Sequence, residues 1–266
     1  MNTTSRDTRV ERRESWLEIA IDRPEKLNAL REQTAEEILA ALADAEADRA
    51  IRAVIVSGGA KAFCTGIDTS EFVVGPDEKF DFYRARKRWR KAPTLFKTFA
   101  EFTKPIVCAV EGYALGGGFE FALAADLVVA GADAQFGLPE AKLGMMPGGG
   151  GTQTLTRLVG KPLTKELIWT GRRLRADEAL ALRIVNHVVP AGTALDKARE
   201  LAAAIAQNAP LAVMMSKAAI ERGADMSLAN GWAYEGDASF LLYFSEDRGE
   251  GLAAFREKRA PAFEGR

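Results

Sequence analysis

Histidine is nearly missing from this chain. One, His187, stands in 266 residues, beside two cysteines, Cys64 and Cys108. No C-x-x-C and no paired-His spacing exists, which removes most metal sites and leaves a Ser-His-Asp machine dependent on one residue. Two cysteines make no disulfide scaffold and point to a reducing compartment. A dominant charge is missing too. Lys and Arg number 36 against 37 Asp and Glu, a net charge of -1, so no global field attracts nucleic acid or an acidic membrane. No apolar run approaches the roughly 18 residues that a spanning helix needs. The opening MNTTSRDTRVERRESW lacks the apolar segment of a secretory signal, and Asp7, Glu11 and Glu14 argue against a mitochondrial presequence. These features predict a cytoplasmic protein with a flexible N-terminal tail over residues 1–13.

What is present is an ordinary globular balance, 47% hydrophobic and 27% charged, in a length that buries a real core. Trp16 to Ile21 alternates as a strand. Thr34-Ala35-Glu36-Glu37 has the capping-box pattern and predicts a helix opening there and running to about Asp48. Ala53 to Val56, Pro105 to Val110 and Leu127 to Ala130 are apolar strands, and a short strand is expected near Gln135–Gly137. KAFCTGIDTSEF (61–72) reads as a loop. Residues 76–101 look helical, interrupted at Pro93. After Gly151 helical patterns dominate. The pattern is that of an α/β core followed by a helical C-terminal part.

Two glycine runs stand out, in GYALGGGFEFALAAD (112–126) and GMMPGGGGTQ (144–153). Neither is a phosphate loop, because the Lys and Ser or Thr that reach phosphate and magnesium are absent and Glu120 would repel phosphate. A helix starting near Gly117 would leave that residue's N–H unpaired at the positive end of the dipole. Such a donor suits an oxyanion that develops during reaction. Gly117 and Glu120 are three apart, so donor and carboxylate share a helix face. The plain alternative is a first-turn Glu that merely favours the dipole. Glu140, after Pro139 in QFGLPEAKLG, carries the same ambiguity. A second N–H donor is available in KAFCTGID (61–68), with Asp68 as a candidate cap.

RPEKLNAL (23–30), KAFCTGID, GYALGGG-x-E-x-A-x-A-x-D, FGLPE-x-x-LG, PGGGGTQ-x-LTR-x-VG and AFREKRAPAF (254–263) together resemble the crotonase (enoyl-CoA hydratase/isomerase) superfamily. The resemblance runs from about Glu18 to Phe263. It implies an α/β fold, a crotonase-like spiral of ββα units over residues 14–200, and a helical C-terminal trimerisation region over 201–266. It implies a homotrimer or dimer of trimers that takes an acyl-CoA substrate and uses no cofactor besides the CoA of the substrate. By motif position the oxyanion donors would be the N–H groups of Ile67 and Gly117, and the catalytic carboxylates Glu120 and Glu140. Lys26, Ala62, Cys64, Gly66 and Asp68 match the CoA-binding segments. Both glutamates are present, which favours hydration of an enoyl-CoA over the family's isomerase, hydrolase and lyase reactions.

Some relatives bind RNA through a lysine-rich first helix. The matching helix here, EEILAALADAEADR, is acidic. Arg84 to Lys91 holds six basic residues in eight, but helical spacing spreads them round the circumference as a solvated face. Nucleic acid is therefore not the expected partner. His187 reads as structural. Ile67 is bulky where the family commonly has Ala, and residues 69–103 are long and aromatic. Both features bear on the acyl pocket and leave room for a branched, cyclic or aromatic acyl group as well as a simple crotonyl chain.

Overall fold

The computed structural model describes residues 6–72, 83 and 92–266. The expectations for residues 73–91, including the basic run, fall outside this set apart from Tyr83.

In chain order the strands are β1 (Thr8–Arg12), β2 (Trp16–Ile21), β3 (Ala53–Ser57), β4 (Ala62–Cys64), β5 (Ile106–Val110), β6 (Tyr113–Leu115), β7 (Leu127–Gly131), β8 (Gln135–Gly137), β9 (Leu174–Arg175) and β10 (His187–Val189). The helices are α1 (Glu32–Ala47), α2 (Ala92–Ala100), α3 (Gly117–Leu123), α4 (Gly151–Val159), α5 (Lys161–Thr170), α6 (Ala176–Ala181), α7 (Ala194–Ala206), α8 (Pro210–Gly223), α9 (Leu228–Leu242) and α10 (Glu246–Glu257).

Two sheets run side by side, ordered β1-β2-β3-β5-β7-β10 and β4-β6-β8-β9. The chain alternates between them. It lays β3, β5 and β7 in the first and β4, β6 and β8 in the second, with parallel pairing at each step. Repetition of a strand in each sheet followed by a helix winds the spiral that the resemblance implied. AVIVS and IVCAV are buried along their whole length, as parallel strands covered on both faces must be. Ala194, Ala198, Ala202 and Ala206 recur every four residues on α7 and are all buried. Three of them, Ala194, Ala198 and Ala202, pack with Ile55, Val107 and Val129 of the first sheet. The other face carries the main core, including Phe63, Phe99, Phe119, Phe121 and Phe136.

Residues 1–13 are not simply a tail. Thr8–Arg12 forms β1, antiparallel to β2. One apolar residue, Val10, stands in TRVER and is exposed, so no alternation signalled this edge strand. Glu37 holds it, accepting the N–H groups of Asp7 and Thr8 at 3.0 and 2.9 Å. That contact also changes the start of α1. The helix opens at Glu32, Thr34 sits within its first turn and accepts the Arg31 N–H at 3.2 Å, and Glu37 serves the strand instead of the cap. The loop expected over 61–72 contains β4, which takes only three residues.

At the other end, α8 and α9 pack on one another. Lys217 of α8 pairs with Asp126 at 2.7 Å, tying this region to the core. The last residues fold back on Asp247, whose carboxylate accepts the N–H groups of Glu264 and Gly265 at 2.7 and 2.9 Å. Among the described residues no helix is long and apolar enough to cross a membrane.

Candidate active site

α3 lies wholly in the interior, all seven of its residues buried. A charge in such a helix must be satisfied or shifted toward neutrality. Glu120 is 4% exposed, and its Oε1 accepts the N–H groups of Gly149 and Gly151, each at 2.8 Å. The second glycine run is therefore a carboxylate cradle at the entry to α4. Burial still outweighs these donors and raises the Glu120 pKa above the usual 4.5.

Glu140 opens a 3-10 turn, Glu140–Leu143, directly after Pro139. Both of its carboxylate oxygens are buried with no hydrogen-bond partner among the described residues. Burial, with the neighbouring Glu120 charge adding to it, pushes its pKa up to about 7.

The N–H donors come from two loops brought together by glycine. Gly66 has φ +99, and a Cβ there would stand 3.0 Å from the Gly117 nitrogen. The N–H groups of Ile67 and Gly117 have no acceptor among the described residues. Gly118 touches the strand behind, where a Cβ would come within 2.0 Å of the Cys64 carbonyl oxygen.

Ile67, Gly117, Glu120 and Glu140 all line one cleft, together with Gly66, Phe96, Leu143, Met145 and Met146. Two buried carboxylates and two free N–H groups thus face a mainly apolar cleft. This arrangement can polarise a carbonyl and move protons beside it. The donors reach this place only because the spiral sets the β4 and β6 ends next to each other.

Comparison with known proteins gives the family. The family model described as enoyl-CoA hydratase/isomerase matches residues 11–266. The chain belongs to the enoyl-CoA hydratase/isomerase family. It is 39% identical to the short-chain-enoyl-CoA hydratase of Clostridium acetobutylicum, covering 91% of each chain. It is 38% identical to the 2,3-dehydroadipyl-CoA hydratase of Escherichia coli, covering 97% of this chain and 98% of that one. The crystal structure of an enoyl-CoA hydratase from Bacillus anthracis superposes with a TM-score of 0.92 at 36% identity, over 98% of this chain and 100% of that one. This family member is an enzyme of the crotonase type.

The other sequence candidates sit apart from the cleft lining. Lys26 is exposed on a 3-10 turn, Pro24–Lys26. Ala62 and Cys64 are buried in β4, and burial pushes the Cys64 thiol up to about 12, away from nucleophilic use. Asp68 turns inward to Arg23 at 3.1 Å instead of presenting its carboxylate outward. His187 pairs in the first sheet against Val129, a structural place. Sequence reasoning missed the Gly149 and Gly151 donors, whose only signal was a glycine run following a candidate carboxylate. It also missed Arg23, read only as part of a motif.

Proposed function

We propose that this protein is an enoyl-CoA hydratase that adds water across the α,β double bond of an enoyl-CoA thioester. The observation that carries the reading is the convergence of Glu120 and Glu140 on the cleft that Ile67 and Gly117 also line. The thioester oxygen takes the two N–H groups, and water lies between the carboxylates. Glu120 and Glu140 orient the water, and ionised Glu120 removes its proton as oxygen attacks the β-carbon. The electron pair of the double bond moves toward the thioester oxygen, where the N–H groups stabilise the charge. Glu140, whose raised pKa of about 7 keeps a protonated fraction near neutral pH, delivers a proton to the α-carbon. Water addition moves only a proton and hydroxide, so the proposed reaction needs no redox group and no cofactor beyond the CoA of the substrate.

The hydratase names of the relatives support this reading. The exposed aromatic face of the C-terminal helices supports a homotrimer or a dimer of trimers. The test is a panel of enoyl-CoA esters, straight, branched and aromatic, followed by loss of conjugated thioester absorbance and by mass. Hydration gains one water. Loss of conjugation without that gain would make the protein an isomerase. Glu120→Gln and Glu140→Gln should each stay folded and lose at least about a hundredfold in turnover. Near-normal turnover by either variant would remove that residue from the mechanism.

A further inference from the structure

Ile67 stands next to a buried ion pair, Arg23–Asp68, that the proposed chemistry does not use. Leu30 bridges the backbone on either side of it. The Leu30 N–H donates to Gly66 O and Leu30 O accepts the Asp68 N–H, both at 2.7 Å. In a parallel bridge the central residue's own N–H points away from its partner strand. The Ile67 N–H is thereby turned from the 23–30 segment, and Ile67 lines the cleft.

Arg23 clamps this bridge from both sides. Its Nη1 donates to Ala29 O, next to Leu30. Its Nη2 donates to Asp68 Oδ2 at 3.1 Å, next to Ile67. Its Nε lies 3.7 Å from Asp7 Oδ2, and Arg31 grips Asp7 through two contacts of 2.7 Å. Arg23, Asp7 and Asp68 are all buried. The clamped segment is also bent. Leu27 and Asn28 have φ of 49 and 58, a region that non-glycine residues occupy only when their surroundings hold them there. Asn28 is fixed through its side chain to the Arg23 N–H and to Ala62 O, each at 2.8 Å. A buried ion pair is costly in itself, and its best-attested return is a defined arrangement.

We propose that Asp68, clamped by Arg23, is a positioning residue that fixes the Ile67 N–H on the thioester oxygen. This rests on the oxyanion role proposed for Ile67. A donor displaced by about 1 Å costs about a hundredfold in rate, and the loss falls on the transition state more than on substrate binding.

The full chain is compared with Asp68→Asn, which removes the charge, and Arg23→Lys, which keeps the charge and loses the fork. Arg199→Ala serves as a stability control, because it breaks a 2.8 Å pair with Glu18 outside the cleft lining. Turnover of the enoyl-CoA ester that wild type hydrates fastest on the panel is read together with the carbonyl stretch of bound butyryl-CoA labelled with carbon-13 at the thioester, which cannot be hydrated. Asp68→Asn should lower kcat at least about tenfold with KM within about threefold, and shrink the downshift of the stretch. Arg23→Lys should fall between it and wild type, and Arg199→Ala should change neither readout. If Asp68→Asn does not fold, Arg23→Lys decides. Unchanged kcat and stretch in the folded variants, or an equal loss in Arg199→Ala, would overturn the proposal. Wild type that shifts the stretch yet hydrates nothing on the ester panel defeats the hydratase reading while leaving the stretch to judge the clamp. Wild type that binds butyryl-CoA with no shift overturns the clamp itself.

Discussion

Glu120 and Glu140 line one cleft in opposite states of satisfaction. Glu120 takes two N–H donors, and the carboxylate of Glu140 takes none among the described residues. N–H donors favour an anion and offset part of the burial that raises the Glu120 pKa, which suits Glu120 better than Glu140 to act as the base. Bare burial favours the neutral form, so Glu140 is suited to holding a proton.

The pH dependence of turnover follows. The proposed mechanism needs Glu140 protonated, and its pKa stands at about 7. The kcat/KM for an enoyl-CoA substrate should therefore fall as pH rises through about 7. An acid limb should appear above the ordinary Glu range, where Glu120 gains a proton. The two limbs belong to the pair. A flat profile between about pH 5 and 9 would contradict these roles.

Stability should carry the same signature. A carboxyl whose folded pKa is raised binds its proton more tightly in the native state. Its contribution is fully present below the unfolded value of 4.5 and is lost as pH rises through about 7. Glu140→Gln removes that loss. Discounted for partial exposure, the variant should be more stable than wild type at pH 8 by on the order of 1 kcal/mol, with the gap closing near pH 4.5. Melting curves at the two pH values check this, and an equal gap at both would refute it.

Gly118 is set by close approach. A Cβ there meets backbone, 2.0 Å from Cys64 O and 2.6 Å from Cys64 C, and no side-chain motion relieves that. Gly118→Ala should cost about 3 kcal/mol or more, or fail to fold. Denaturant titration measures it, and a loss under about 1 kcal/mol would mean that β4 and α3 separate easily.

α9 is apolar and has no buried residue. Trp232, Phe240 and Leu241 are 66%, 61% and 60% exposed, an arrangement expected when the covering face belongs to another molecule. The protein should run as a trimer or hexamer in light-scattering chromatography, and Trp232→Glu with Phe240→Glu should shift it toward monomer. A monomeric wild type would refute the assembly.

Much of this was legible without coordinates. Continuous apolar runs announced β3, β5 and β7, and the grammar change after Gly151 announced the C-terminal helices. GGGFE and LPEAKLG each carried a carboxylate in a helical first turn, and their motifs together fixed the family. The edge strand β1 was not legible, since its only apolar residue is exposed and the Glu37 carboxylate that holds its start is 29 residues from Thr8. Asp68 was legible as a cap, and it accepts the Ser70 N–H and hydroxyl at 3.1 and 2.6 Å, but its tie to Arg23 was not, because a motif shows that a residue is present without showing which way it points.

The sequence by itself determined the periodicity of strands and helices, the family, and the two glutamates. These depend on local pattern, which the chain carries residue by residue. Only the tertiary structure decided what each charge does. Gly149 and Gly151 reach Glu120 across 29 and 31 residues, and Arg23 reaches Asp68 across 45. Burial and partnership set the protonation of a carboxylate, and both are made by segments that meet only when the spiral closes.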